Sequence, residues 1–121
     1  MLNKKTRPMN KLQLTGIIQS NSLKYSSRPA LYYQLPDKTW APISWTGFWD
    51  SICDMARGLL NEGIKPGDKV AIMSRNMPEW TIADYALQLV RAVSVPLFAQ
   101  TSVAQAAFIL DETESVLLLV G

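Results

Sequence analysis

Gly63-Ile64-Lys65-Pro66-Gly67-Asp68-Lys69-Val70-Ala71-Ile72-Met73-Ser74 is the stretch on which the fold turns. Gly63 supplies the left-handed residue that ends a preceding helix. Pro66-Gly67 is the order a type II turn needs, with φ fixed at the first central position and positive at the second. Lys69 to Ser74 is then an apolar run suited to a strand buried on both faces.

Downstream, a helix is predicted from Pro78, where a missing N–H costs nothing, with Glu79 suited to the positive end of the dipole. Asp84, Gln88 and Arg91 form its polar strip. Val93 to Leu97 reads as a strand, with Pro96 near its end where a ladder donor can be spared. Val103 to Leu110 reads as a short helix and Val116 to Val120 as a third apolar strand. The order from Lys69 is β-α-β-α-β, which predicts right-handed crossovers and a parallel sheet covered on both faces.

Upstream, Phe48, Trp49, Ile52, Met55, Ala56, Leu59 and Leu60 recur at helical spacing, with Asp50, Asp54, Arg57 and Asn61 on the other face. Ser44 or Thr46 can cap that helix. Ala30 to Gln34 and Trp40 to Trp45 are extended runs joined by Pro36-Asp37-Lys38, a hairpin. Leu12, Leu14, Ile17, Ile18 and Leu23 give an imperfect helical stripe, ended by Arg28-Pro29. The fold class is α/β: an N-terminal hairpin and helix followed by β-α-β-α-β, half of a doubly wound parallel sheet. The chain stops at Gly121, directly after Val116-Leu117-Leu118-Leu119-Val120. The expectation is therefore a beginning, with residues 12–121 a partial N-terminal subdomain truncated at Gly121.

The chain has 121 residues, 12 Lys+Arg, 10 Asp+Glu and no histidine. Without histidine there is no Ser-His-Asp or Cys-His unit and no imidazole zinc site. Cys53 is alone, which excludes an internal disulfide and a thiolate cage, and it reads as a small buried core residue in a reducing, cytoplasmic setting. The net charge of +2 does not mark a nucleic-acid binder. Residues 1–36, however, carry Lys4, Lys5, Arg7, Lys11, Lys24 and Arg28 and no acid, a sum of +6. Residues 1–11 read as a basic, disordered arm, either solvated or drawn to a polyanion or to the inner face of an anionic membrane. No secretory h-region and no transmembrane run is present.

Each candidate for chemistry has a plainer reading. Gly63 and Gly67 precede a strand, whereas a phosphate loop precedes a helix N-terminus. Asp111, Glu112 and Glu114 read as a solvated loop, without a cation or aromatic pocket to separate their pKa values. Trp40, Trp45, Phe48 and Trp49 lack the interleaved bases of a stacking surface and read as hairpin-on-helix packing. Arg91 reads as a cation completing a helix C-terminus. No residue is assigned a catalytic, cofactor-binding or metal role.

Arg28-Pro29-Ala30-Leu31, Ile43-Ser44-Trp45, the string from Gly63 to Ile72, Asn76-Met77-Pro78-Glu79-Trp80 and Val95-Pro96-Leu97 together resemble the N-terminal region of AMP-forming acyl-CoA synthetases. The resemblance covers roughly residues 12–121. Trp80 to Asp84 and Arg91 to Ala99 are similar to bacterial long-chain fatty-acid–CoA ligases, where Val93 replaces a glycine common elsewhere; Gln100 and Thr101 depart from the usual Thr-Asn pair.

The resemblance implies a two-step reaction. A fatty acid attacks the α-phosphate of ATP to give acyl-AMP and pyrophosphate, and the CoA thiol then displaces AMP. It also implies Mg²⁺, a Ser/Thr/Gly-rich loop ending in Pro-Lys-Gly, a Thr-Glu pair, a ribose-binding Asp and a mobile lysine, all placed downstream in the family. These 121 residues are then scaffold, inactive alone, with an open strand edge able to self-associate. Two other readings stand beside it: a stand-alone α/β interaction module with a basic arm, and part of an adenylating enzyme for a different carboxylic acid.

Overall fold

The computed structural model describes residues 13–121; Leu12 and the expected arm of residues 1–11 lie outside them. The element order is α1 (Leu14–Lys24), β1 (Pro29–Gln34), β2 (Trp40–Ser44), α2 (Trp45–Asn61), β3 (Lys69–Ser74), α3 (Pro78–Leu89), β4 (Val93–Phe98), α4 (Val103–Thr113) and β5 (Leu117–Val120).

The decisive stretch folds as its residues dictate. Gly63 (φ 86°) N donates to Leu60 O and Ile64 N donates to Leu59 O, the paired bonds of a Schellman cap. Leu59 and Ile64 are both buried, which seals that cap. Gly67 (φ 88°) follows Pro66, and Asp68 N closes the turn onto Lys65 O at 3.0 Å. Gly67 N also donates to Arg91 O and Val93 N to Asp68 O, so the turn aligns β3 with β4 before the ladder begins.

Strands β4, β3 and β5 form a parallel sheet in that order, with Val70 opposite both Ser94 and Leu117. Because β4 and β5 flank β3, the two crossovers run in opposite directions. Right-handedness then places α3 on one face and α4 on the other, which is doubly wound topology. Val70 and Ile72 join Ile52, Ala83, Ala86 and Leu87 in the core beneath α2 and α3. Ala71 and Leu97 are buried on the opposite face. Pro96 sits in edge strand β4, where its missing donor costs no ladder bond. The hairpin β1–β2 is antiparallel. At its tip, the hydroxyl and then the backbone N–H of Thr39 donate to Asp37 Oδ1 and hold that carboxyl below its usual range.

Four expectations need correction. First, α1 buries Thr15, Gly16, Ile18 and Ser22 and exposes Leu14, Ile17 and Leu23, so of the described apolar stripe only Ile18 faces the core. The small side chains are what permit α1 to lie close, and Ser22 spends its hydroxyl on Gln19 O at 2.7 Å. Second, Arg91 is not on α3. It occupies the left-handed region (φ 64°) beyond the Val90 cap, with its N–H on Gln88 O and that of Ala92 on Leu87 O, a second Schellman cap without glycine. Third, Asp111 and Glu112 lie in the last turn of α4, and Glu114 is its left-handed C-cap (φ 52°). The Ser102–Gln105 capping box sets the start of that helix. Fourth, the two faces are not equally covered, because α4 has no buried residue. Phe98, Val103 and Phe108 stay exposed on that side.

Candidate functional site

In open parallel sheets, ligands bind outside the carboxyl ends of the strands, where outgoing connections part to opposite faces. That end of this sheet is formed by Ser74-Arg75-Asn76 after β3, Phe98 to Thr101 after β4, and Gly121 after β5. An apolar hollow of about 250 Å³ lies between β3, β5 and the start of α3, lined by Ser74, Met77, Trp80, Leu119 and Gly121 among others. Its lip is tight. A methyl group at Gly121 would sit 2.9 Å from Ser74 Oγ and 3.1 Å from Met77 Sδ. The Ser74 hydroxyl is already donated to Arg75 O at 2.9 Å. A wider groove of about 630 Å³ opens beside it, between the hairpin (Tyr32, Tyr33, Trp40) and Arg75, Asn76 and Glu79.

The residues singled out from the sequence do not converge there. Gly63 and Gly67 serve as cap and turn. Asp111, Glu112 and Glu114 are exposed at the far end of α4. Among the described residues, no three His, Cys, Asp or Glu side chains are grouped to hold a metal. The aromatic set divides: Trp45 meets Phe48 edge-on at 6.3 Å within α2 and Phe48 meets Tyr85 of α3 at 6.0 Å, contacts within and between helices rather than the expected hairpin-on-helix packing, whereas Trp40 is exposed and lines the groove. Cys53 is half-buried rather than a full core residue. Burial pushes its thiol above the ordinary value near 9.0, with Arg57 opposing, so it is a poor nucleophile.

Sequence reasoning missed Ser74, Arg75, Met77 and Gly121. The usable signal was positional: Ser74 ends a predicted parallel strand, Arg75 and Gly121 directly follow one, and Met77 precedes the helix after one. The arrangement offers one cation, one carboxylate (Glu79) and aromatic walls, with no paired acid and base and no activated nucleophile. It can shape and line a cleft.

A family profile described as AMP-binding enzyme matches residues 18–121. The chain is 34% identical over 88 residues to the long-chain-fatty-acid–CoA ligase FadD15 of Mycobacterium bovis and, equally, of Mycobacterium tuberculosis. Those 88 residues are 73% of this chain and 15% of each ligase, so the chain spans a small part of the length of these relatives. The N-terminal subdomain of Klebsiella oxytoca NpsA, solved in complex with 3-hydroxybenzoyl-AMSN, superposes with a TM-score of 0.79 at 23% identity, covering 88% of this chain and 26% of that one. At that identity the likeness speaks for the fold alone. No helix among the described residues is long and apolar enough to cross a membrane.

Proposed function

The chain belongs to the AMP-binding enzyme family, and from that premise we propose that residues 12–121 are scaffold of the large domain of an acyl-activating ligase. The parent reaction joins a carboxylic acid to CoA through acyl-AMP, using ATP. The observation that carries this reading is the family match running through the decisive stretch and on to Gly121. That stretch builds a strand and two backbone ties (Gly67 to Arg91, Val93 to Asp68) rather than a phosphate cradle. A long-chain fatty acid is the proposed substrate, supported by the 34% identity to the mycobacterial ligases.

The residues in hand do not fit a magnesium–nucleotide group. No carboxylate cluster is present among the described residues, and no glycine-rich loop precedes a helix. No chemical step is therefore assigned to them. Their work is mechanical: the Schellman cap and type II turn hold β3 in register with β4, and the carboxyl ends of β3 and β5 present a shaped lip. ATP, Mg²⁺ and CoA belong to the proposed parent enzyme.

An adenylation assay tests this. The 121-residue polypeptide, given ATP, Mg²⁺ and palmitate, is expected to release no pyrophosphate above a protein-free blank. Turnover with palmitate would contradict the scaffold assignment, and turnover with an aryl or amino acid would contradict the fatty-acid assignment as well.

A further inference from the structure

One surface is independent of that reading. Helix α1 ends in Leu23-Lys24 with Tyr25 as its cap, and the chain turns through Ser26 and Ser27 to Arg28. Leu23 is 81% exposed, more than the other exposed apolar residues of α1, Leu14 and Ile17. The Lys24 ammonium lies 5.1 Å and the Arg28 guanidinium 5.4 Å from the centre of the Tyr25 ring, so one ring gathers both cations beside the exposed leucine. The corner also rests on the start of α2. Thr46 N donates to Ser26 O and Trp45 N to Arg28 O, which brings the positive end of that helix dipole to the same place.

Among the described residues, neither Lys24 nor Arg28 is held in an ion pair. The chain has no acid before Asp37, which sits at the tip of the hairpin, away from the corner at its base. The first carboxylate on α2 is Asp50, beyond its first turn. Lys4, Lys5, Arg7 and Lys11 precede the corner in sequence and carry the same sign.

We propose that this corner docks on an anionic lipid surface, with Lys24 and Arg28 at the headgroups and Leu23 entering the acyl boundary. A nucleic-acid backbone would satisfy the cations equally but offers nothing to Leu23. An aromatic body with long cationic stems and one projecting aliphatic side chain matches the water–hydrocarbon boundary, where apolar stems bury and charged heads stay wet.

The test is co-sedimentation of the full chain with phosphatidylcholine vesicles, with and without 30% phosphatidylglycerol, after subtraction of a vesicle-free blank. Binding is expected only with phosphatidylglycerol, and raising salt from 50 to 500 mM should release it, a readout that needs no variant. Lys24→Gln and Arg28→Gln should each lower the partition coefficient about five-fold, the worth of one basic residue at such a surface. Leu23→Gln should lower it by a similar factor with no change in charge. Arg57→Gln, the same charge change on the exposed side of α2, should lower it less than about two-fold. Three results overturn the proposal: no binding or equal binding to neutral vesicles, Arg57→Gln matching Lys24→Gln, or Leu23→Gln binding as the unaltered chain does. Displacement by duplex DNA together with that last result would identify a general polyanion site instead.

Discussion

Three glycines offer a sign test, because the same methyl addition should act oppositely at each kind of site. Gly58 lies inside α2, exposed, and a Cβ there meets nothing within 4 Å. Gly63 and Gly67 are equally uncrowded, but their φ values are +86° and +88°. Steric space is thus held constant and only backbone conformation differs. In the helix, alanine removes unfolded-state freedom and should stabilise by about 0.5–1 kcal/mol. In the left-handed region, each alanine should cost about 1–2 kcal/mol. For a chain of this size the two directions should separate melting temperatures by roughly 5–10 °C. Urea and thermal unfolding followed by tryptophan emission would read the effect, since Trp45, Trp49 and Trp80 are part of the packed layer. If Gly63→Ala and Gly67→Ala stabilise as Gly58→Ala does, the cap-and-turn account of the decisive stretch is wrong.

Arg91→Gly should raise stability by about 0.5–1 kcal/mol, because glycine relieves the positive φ while adding unfolded-state entropy; a lower urea midpoint would count against the second Schellman cap. Ser94 Oγ is buried with no hydrogen-bond partner, so Ser94→Ala should be neutral or stabilising by about 1 kcal/mol in the same assay, against the usual loss for a buried truncation. Ile52 and Leu87 are fully buried, and either residue changed to alanine should cost about 2–5 kcal/mol. Burial raises the folded Cys53 thiol above its ordinary value near 9.0, so that contribution to stability is complete below the unfolded pKa and is lost as pH rises through the folded one. Iodoacetamide should accordingly label the folded chain more slowly than the urea-unfolded chain at pH 9.

Much of the fold was legible because its signals are local. Gly63, Pro66 and Gly67 act through their own φ angles, and the stripe Phe48, Ile52, Ala56 and Leu59 repeats at the helical period. The three apolar strands read correctly for the same reason. What failed depended on partners. The burial of α1 is set by how closely α2 and α3 approach, which favours Thr15, Gly16 and Ser22 over the larger Leu14 and Leu23. Arg91 was placed on the helix because an arginine gives no hint of a left-handed conformation; the backbone tie from Gly67 holds the segment there. Likewise, the C-terminal end of α4 was not legible, since Glu114 adopts φ 52° without being glycine or asparagine. The lip of Ser74, Met77 and Gly121 comes from strand order, which no single stretch of sequence carries.

The scaffold assignment is tested most directly by transplantation. Residues 18–121 would replace the matching segment of the Mycobacterium tuberculosis ligase, and palmitoyl-CoA formation would be measured beside the unaltered ligase. The account predicts that the chimera forms palmitoyl-CoA with the acid preference of the recipient, because these residues supply architecture and no catalytic group. A chimera that melts cooperatively like the recipient yet forms no acyl-AMP would contradict it.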